Sequence, residues 1–240
     1  MRSEVGHPAH AVDGAAADRV SIDGVSVLRE GRRILRDVTL DLSARRTAVI
    51  GANGSGKSTF ARLLNGLVAP TSGRVLVHGV DVQRDLRAVR REVGFVFTDP
   101  QAQILMPTPA EDLLLSLRDL PRSEAREHIA AILGEHGLAG HADAPVSTLS
   151  GGQRQLLALA SVLATRPSLI VADEPTTLLD LRNARRIGDL LLAQDAQVII
   201  VTHDLDLAAR CDHAVLFDDG GVVASGQPGA VIDDYRRSCA

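Results

Sequence analysis

The sequence predicts an α/β fold with a mostly parallel sheet, and three observations carry the prediction. Short apolar segments at residues 47–50, 169–172 and 198–201 have the length of buried strands and alternate with helical stretches. The first runs into Gly51-Ala52-Asn53-Gly54-Ser55-Gly56-Lys57-Ser58, and then into residues 59–64, which read as the first turns of a helix. Residues 98–165 are helical in character and interrupt the alternation, as an insertion in the α/β core and not a separate domain.

Taken in order, residues 1–18 are rich in Ala, His, Gly and charge and read as a disordered leader, or as an artefact of the assigned start. Residues 20–28 alternate loosely through Val20, Ile22, Val25 and Val27 and predict a strand. Glu30-Gly31-Arg32 turns the chain into a second strand at 34–42, which makes an antiparallel pair ahead of the glycine-rich loop. Asn65-Gly66 ends the loop helix, and a strand at 74–77 follows a Pro-Thr-Ser-Gly turn. Residues 81–90 predict a short surface helix, and 93–97 a buried strand.

Thr108-Pro109-Ala110-Glu111 combines a capping box with proline at the first helical position, followed by an apolar stripe of Leu113, Leu114 and Leu117. A second helix spans 122–136, with Ile129, Ile132 and Leu133 on one face and Gly137 as its stop. The α/β pattern returns at Ser168, with helices at 181–193 and 204–210, and the tail reads as a hairpin closed by Asp218-Asp219-Gly220-Gly221.

Composition narrows the function. The net charge of −4 gives no basic footprint for nucleic acid, and no run approaches the length needed to span a bilayer. Cys211 and Cys239 are too few for a disulfide framework, and Cys211-x-His213 has no partner at metal-ligand spacing, so both read as free thiols. The chain reads as a soluble intracellular protein.

The octapeptide fits the G-x-x-x-x-G-K-[ST] phosphate-binding loop (P-loop). Its glycines let successive N–H groups converge on a polyphosphate at a helix N-terminus. Lys57 is expected to reach the outer phosphates and Ser58 to coordinate Mg²⁺. Lys57 is the only lysine, the other 25 of the 26 basic residues being arginine. A compact ammonium therefore stands where a guanidinium fork would fit poorly. Asp173 and Glu174 end an apolar strand, where open α/β sheets bind ligands. Asp173 is expected to hold Mg²⁺ opposite Ser58, and Glu174 to take a proton from an attacking water.

Leu149-Ser150-Gly151-Gly152-Gln153 starts a helix with a good N-cap and exposed N–H groups. It reads either as a helix cap with a flexible preamble or as a second phosphate binder. Together with the loop it resembles the signature of ABC ATPase subunits, from about Val20 to Ile232. The resemblance implies a P-loop core with an N-terminal antiparallel β subdomain, and a helical insertion at about 99–165 that carries the signature, within one domain of residues 19–240. It implies ATP and Mg²⁺ as ligands. Gly51, Ala52, Asn53, Gly54, Ser55, Gly56, Lys57, Ser58 and Thr59 match Walker A; Leu149, Ser150, Gly151, Gly152 and Gln153 match the signature. Residues 169–174 match Walker B with its catalytic glutamate, Asp180 the D-loop, and His203 the switch histidine. In this family two copies close head to tail, each nucleotide between one Walker A and the other's signature, so a homodimer could build two competent sites.

Two positions depart from the family. Arg29 lies about where an adenine-stacking aromatic is usual, and an arginine plane could stack instead. Thr98 stands at the Q-loop glutamine position, from which it could reach Mg²⁺ through a water; Gln101 and Gln103 follow. Residues 93–100, Gln103-Ile104 and Pro107–Asp112 look like the energy-coupling-factor branch, which imports vitamins and transition metals. Within it, Phe97-Thr98-Asp99-Pro100 and residues 174–183 most resemble the biotin-system ATPase, with the cobalt or nickel ATPase as runner-up. That resemblance implies a transmembrane coupling subunit, a substrate-capture membrane subunit, and a peripheral place on the cytoplasmic face of the membrane. The helix starting at Thr108 would flank the groove for the coupling helices. An ABC ATPase acting on DNA or ribosomes is the alternative of a different class, without the coiled coils, tandem cassettes or basic surfaces it would need.

Overall fold

The computed structural model describes residues 19–239, and the leader expected at 1–18 lies outside them. The chain opens with β1 (Val20–Arg29) and β2 (Arg32–Leu42), an antiparallel pair in which Arg29 faces Arg32 across the Glu30-Gly31 turn. β3 (Arg46–Gly51) leads through the glycine loop into α1 (Lys57–Leu64). β4 (Ser72–Val77) returns to pair with β1, and the two-residue β5 (Val80–Asp81) completes a four-stranded sheet ordered β2-β1-β4-β5.

α2 is Leu86–Glu92, five residues later than the start expected at Asp81. Asp81 belongs to β5, and its carboxylate accepts from Gln83 N at 2.9 Å, which holds the chain in a turn. The helix begins only where Asp85 accepts from Ala88 N. β6 (Val93–Val96) then enters the second sheet.

Three α-helices, with short 3-10 turns between them, fill the interval before the next strand: α3 (Pro109–Ser116), α4 (Arg122–Glu135) and α5 (Gly151–Leu163). On α3, Leu113 and Leu117 are buried, but Leu114 is exposed, contrary to the expected stripe. Residues 113 and 117 stand one above the other at i, i+4, whereas 114 is turned about 100° away. At Thr108 the capping is only half the expected box. The hydroxyl accepts from Glu111 N and donates to the Glu111 carboxylate, which leaves the Thr108 backbone N–H out of it.

The α/β alternation resumes with β7 (Leu169–Asp173), α6 (Leu181–Leu192), β8 (Gln197–Val201), α7 (Leu205–Ala208), β9 (His213–Asp218) and β10 (Gly221–Gly226). A final helix, α8 (Pro228–Ser238), had no counterpart in the sequence reading. The second sheet runs β10-β9-β3-β8-β7-β6, parallel throughout except for the β9–β10 hairpin.

Successive residues of a strand face opposite sides of the sheet, and that alternation separates two cores. Val49, Val171, Ile199, Val201, Val215 and Phe217 join α1 and the antiparallel sheet. Ala48, Ile50, Ile170, Ala172, Val198 and Ile200 join the inserted helices, α6 and α8. Phe60 of α1 packs on Phe217 of β9 with ring centroids 5.0 Å apart, both fully buried, and so clamps the helix that begins at Lys57. Replacing Phe217 by Ala empties that volume, and the expected loss is about 3–5 kcal/mol. Urea unfolding measures it as a lower midpoint with an unchanged slope.

Candidate functional site

The glycine loop is held in shape by parts of the chain remote in sequence. A Cβ on Gly51 (φ 143°) would lie 2.1 Å from Phe217 O, and one on Gly56 (φ 102°) would lie 2.9 Å from Ile34 O. Neither position admits a side chain, because each is both left-handed and crowded by backbone. The 218–221 turn stitches the loop to β2: Gly220 N donates to Ser55 O at 3.1 Å, and Gly220 O accepts from Arg36 N at 2.8 Å.

Lys57 is only 6 % exposed. Its ammonium donates to Gly51 O at 2.8 Å and Ala52 O at 2.9 Å, so the side chain folds back along the loop. Burial holds its pKa below the ordinary lysine value, against the raising pull of Glu174 and Asp173. A partly desolvated ammonium over converging N–H groups favours an anion.

The parallel register of β7 and β8 sets Asp173 beside Val201, so both strands end at one level. Asp173 is 1 % exposed, and its Oδ1 accepts from Ser58 Oγ at 2.8 Å. Arg62, one turn after Ser58 on α1, approaches Asp173 at 3.7 Å. Burial pushes the Asp173 carboxyl above its ordinary range, although the Ser58 hydrogen bond and the Arg62 charge pull it down. A hydroxyl and a buried carboxylate oxygen in contact are hard donors that suit Mg²⁺, a cation that takes few protein ligands and completes its shell with phosphate and water. No cluster of three or more His, Cys, Asp or Glu side chains able to hold a metal occurs among the described residues. The donor set therefore fits a nucleotide-bound cation better than an all-protein cage.

Glu174 sits immediately beyond, at φ 53°, a left-handed conformation uncommon for a non-glycine residue. Its backbone N–H donates to Val201 O at 2.9 Å. Its Oε2 lies 2.7 Å from His203 Nδ1 and accepts from Thr177 Oγ1 at 3.2 Å. The ends of β7 and β8 thus join Glu174 to His203 directly. Thr98 is brought here as well, since its hydroxyl donates to Asp173 O at 2.8 Å. Arg29, by contrast, is exposed at the β1–β2 hairpin, and its guanidinium has no hydrogen-bond partner among the described residues.

The 149–153 segment is built separately. Ser150 Oγ accepts from Gln153 N at 3.2 Å while Ser150 N donates to Gln153 Oε1 at 2.8 Å, a complete capping box at the start of α5. Gly152 lies against Asn183, where a Cβ would come within 2.6 Å of the carboxamide. Asn183 is held by Asp180, the N-cap of α6, through bonds of 2.9 and 2.7 Å. No hydrogen bond or ion pair joins this segment to the loop at 51–59 among the described residues.

The sequence reading lacks Arg62, and it has the Gly220 turn as a hairpin closure without its contact with the glycine loop. Arg62 was legible as the i+4 neighbour of Ser58 on one helix face, whereas the turn's role depends on sheet order, which leaves no local signal. Gln103, part of the energy-coupling-factor resemblance, has a structural role that the resemblance does not name. It bridges β6 to α5, accepting from Phe97 N at 3.1 Å and donating to Ala158 O at 2.8 Å.

A phosphate loop, two strand-end carboxylates and an adjacent histidine define a nucleoside-triphosphate-handling P-loop fold. The family described as ABC transporter matches residues 35–177. A putative ABC transporter ATP-binding protein from Bartonella quintana is 46 % identical over 85 % of this chain and 91 % of its own length. The biotin transport ATP-binding protein BioM of Rhizobium etli is 38 % identical over 92 % and 99 %. The energy-coupling factor transporter ATP-binding protein EcfA1 of Lactobacillus delbrueckii is 40 % identical over 76 % and 68 %. Among solved structures, cbiO1 from Clostridium perfringens, part of the ABC transporter complex cbiONQ, superposes with a TM-score of 0.79 at 29 % identity, covering 90 % of each chain. The chain belongs to the ABC transporter family and is one of its ATPases, with ATP and Mg²⁺ as ligands.

The raised pKa of Asp173 has a stability consequence. A carboxyl that holds its proton more tightly folded than unfolded contributes stability below the unfolded pKa, and that contribution is lost as pH rises through the folded one. With EDTA present, Asp173→Asn is therefore expected to melt a few degrees above the wild type at mildly alkaline pH. The gap should close as pH falls through the Asp173 range; a wild type that stays the more stable at alkaline pH contradicts the assignment.

Proposed function

We propose that this chain is the ATP-hydrolysing subunit of an energy-coupling-factor importer, working as a homodimer on the cytoplasmic face of the membrane to energise vitamin uptake, biotin being the favoured solute. The observation that carries the ATPase part is the pair of separately built half-sites. One gathers Lys57, Ser58, Asp173, Glu174 and His203; the other presents the capped start of α5. The identities to BioM and EcfA1 support the branch and the solute.

On this reading residues 51–59 hold the phosphates, and the Arg29 plane stacks on the base. Ser58 and Asp173 hold Mg²⁺, which when bound neutralises charge on the phosphate oxygens. Glu174 Oε2 accepts the proton of an attacking water. Its contact with His203 orients both groups and leaves His203 Nε2 without a partner among the described residues, available to the terminal phosphate. Ser150 to Gln153 of one copy cover the nucleotide held by the other, and Asp180 keeps the two motifs in register through Asn183. Thr98 ties the end of β7 to the segment that leads from β6 to α3. Residues 19–240 form one ATPase domain, with 99–165 as its helical subdomain.

The groove of about 280 Å³ between β6, α3 and α5, lined by Phe95, Gln103, Leu105, Asp112, Leu115 and Val162, is the proposed seat of the transmembrane coupling subunit. A substrate-capture membrane subunit completes the importer. No helix among the described residues is long and apolar enough to cross a membrane, so the membrane part falls to these partners.

Glu174→Gln is expected to slow ATP hydrolysis by at least about 100-fold while leaving ATP affinity within a few-fold. Size-exclusion chromatography with ATP should then show a persistent dimer. Near-normal turnover would remove Glu174 from the proposed role. For the importer, membrane subunits should co-purify with the tagged chain, and cells lacking it should lose biotin uptake; recovery on ribosomes, or loss of metal uptake alone, overturns that part.

A further inference from the structure

We propose that His141, on the turn between α4 and α5, is a positioning residue for the 150–153 segment, and that its neutral ring holds Gln153 in the orientation the capping box requires. The proposal rests on the reading of that segment as half of the ATP site.

The orientation of one carboxamide decides the protonation of the ring. Ser150 N can only donate, and it meets Gln153 Oε1 at 2.8 Å. The other end of that side chain is therefore the NH₂ group, and it lies 3.0 Å from His141 Nε2. A ring nitrogen facing an NH₂ must offer its lone pair, so His141 is neutral with its proton on Nδ1. An imidazolium would set N–H against N–H. Gln153 would then have to leave His141, or turn over and leave Ser150 N; either move opens the box at the start of α5.

The turn that carries His141 is not free to follow such a change. His141 N donates to Leu138 O at 2.8 Å, His141 O accepts from Ala144 N, and Ala142 O accepts from Ala110 N at the start of α3. The ring is half-buried against α5, and the imposed geometry passes to Gln153 and not to the turn. Charged and titratable groups of the neighbouring segments include Glu135 at the end of α4 and His136 after it, Asp143, Glu111 of α3, Arg154 of α5 and Arg186 of α6. Arg154 is bonded to Leu149 O, and buried Asp112 of α3 to Ser161. None forms an ion pair or hydrogen bond with His141 among the described residues.

Two measurements on the purified full chain test this. Long-range ¹H–¹⁵N spectra of the histidine rings should show His141 as the Nδ1–H tautomer in the neutral state, whether or not ATP is present. The Nε2–H tautomer, or a ring still doubly protonated at alkaline pH, overturns the proposal. The second is steady-state ATPase activity at saturating MgATP from about pH 5.5 to 8.5. His141→Gln keeps an acceptor that does not titrate; it is expected to stay within about threefold of wild-type kcat at alkaline pH and to retain more activity in acid. His141→Leu should lose roughly tenfold in kcat against the wild type at alkaline pH, where the wild type keeps its acceptor, with an unchanged melting temperature. His203 is unchanged in all three proteins, so the difference between wild type and the Gln variant carries the result. Equal profiles for all three, or equal losses in Gln and Leu, overturn it. A wild type that hydrolyses no ATP would sink the function proposed above and leave the tautomer to decide this one.

Discussion

A single contact, Ser58 Oγ to Asp173 Oδ1 at 2.8 Å, depends on nearly everything the fold does. It needs α1 to begin at Lys57, which needs a loop whose glycines let Phe217 and Ile34 approach as backbone. It also needs β7 to stop level with β8, so that a carboxylate almost without solvent finds a hydroxyl and, at longer range, the Arg62 guanidinium. An ionised carboxylate in that position is costly by itself, and burial accordingly raises its pKa. A cation would lower that cost. The site is destabilised in the sense that matters for function, because its most buried charge is best satisfied by a ligand.

The second half of the site follows a different logic. Nothing in it is buried charge; its shape comes from hydrogen bonds that close local loops. The Ser150–Gln153 box fixes the first turn of α5, and Asp180 fixes Asn183 against Gly152. The two halves share no hydrogen bond or ion pair among the described residues, and the inserted helices join the sheet through a shared apolar core and through side chains such as Gln103, between Phe97 N and Ala158 O.

Where chemistry is local in sequence, it was legible. The phosphate loop, the strand-end carboxylates and the Ser150 cap are each specified by fewer than ten neighbouring residues, and the structure places each at the expected strand or helix end. Errors arose where a competing local bond or a tertiary partner decided. Asp81 captured Gln83 N and delayed α2; the face of α3 was set by what lay beneath it, so Leu114 stayed out; and Glu111 met the Thr108 hydroxyl instead of its backbone. Arg62 shows a signal that was present and passed over. Gly220 shows the opposite case, since its bonds to Ser55 and Arg36 span more than 150 residues and exist only because β9 lies beside β3.

That the two halves act on different copies is the central claim, and complementation tests it most directly. Lys57→Ala removes the loop's ammonium, and Gly151→Asp places a carboxylate where a Cβ meets nothing within 4 Å in its own chain. Each variant alone should hydrolyse almost no ATP. Mixed one to one, half the dimers are mixed, and each of those keeps one intact site, so about a quarter of wild-type activity should return. A mixture that stays as inactive as its components, with mixed dimers shown to form, would contradict a site shared between subunits.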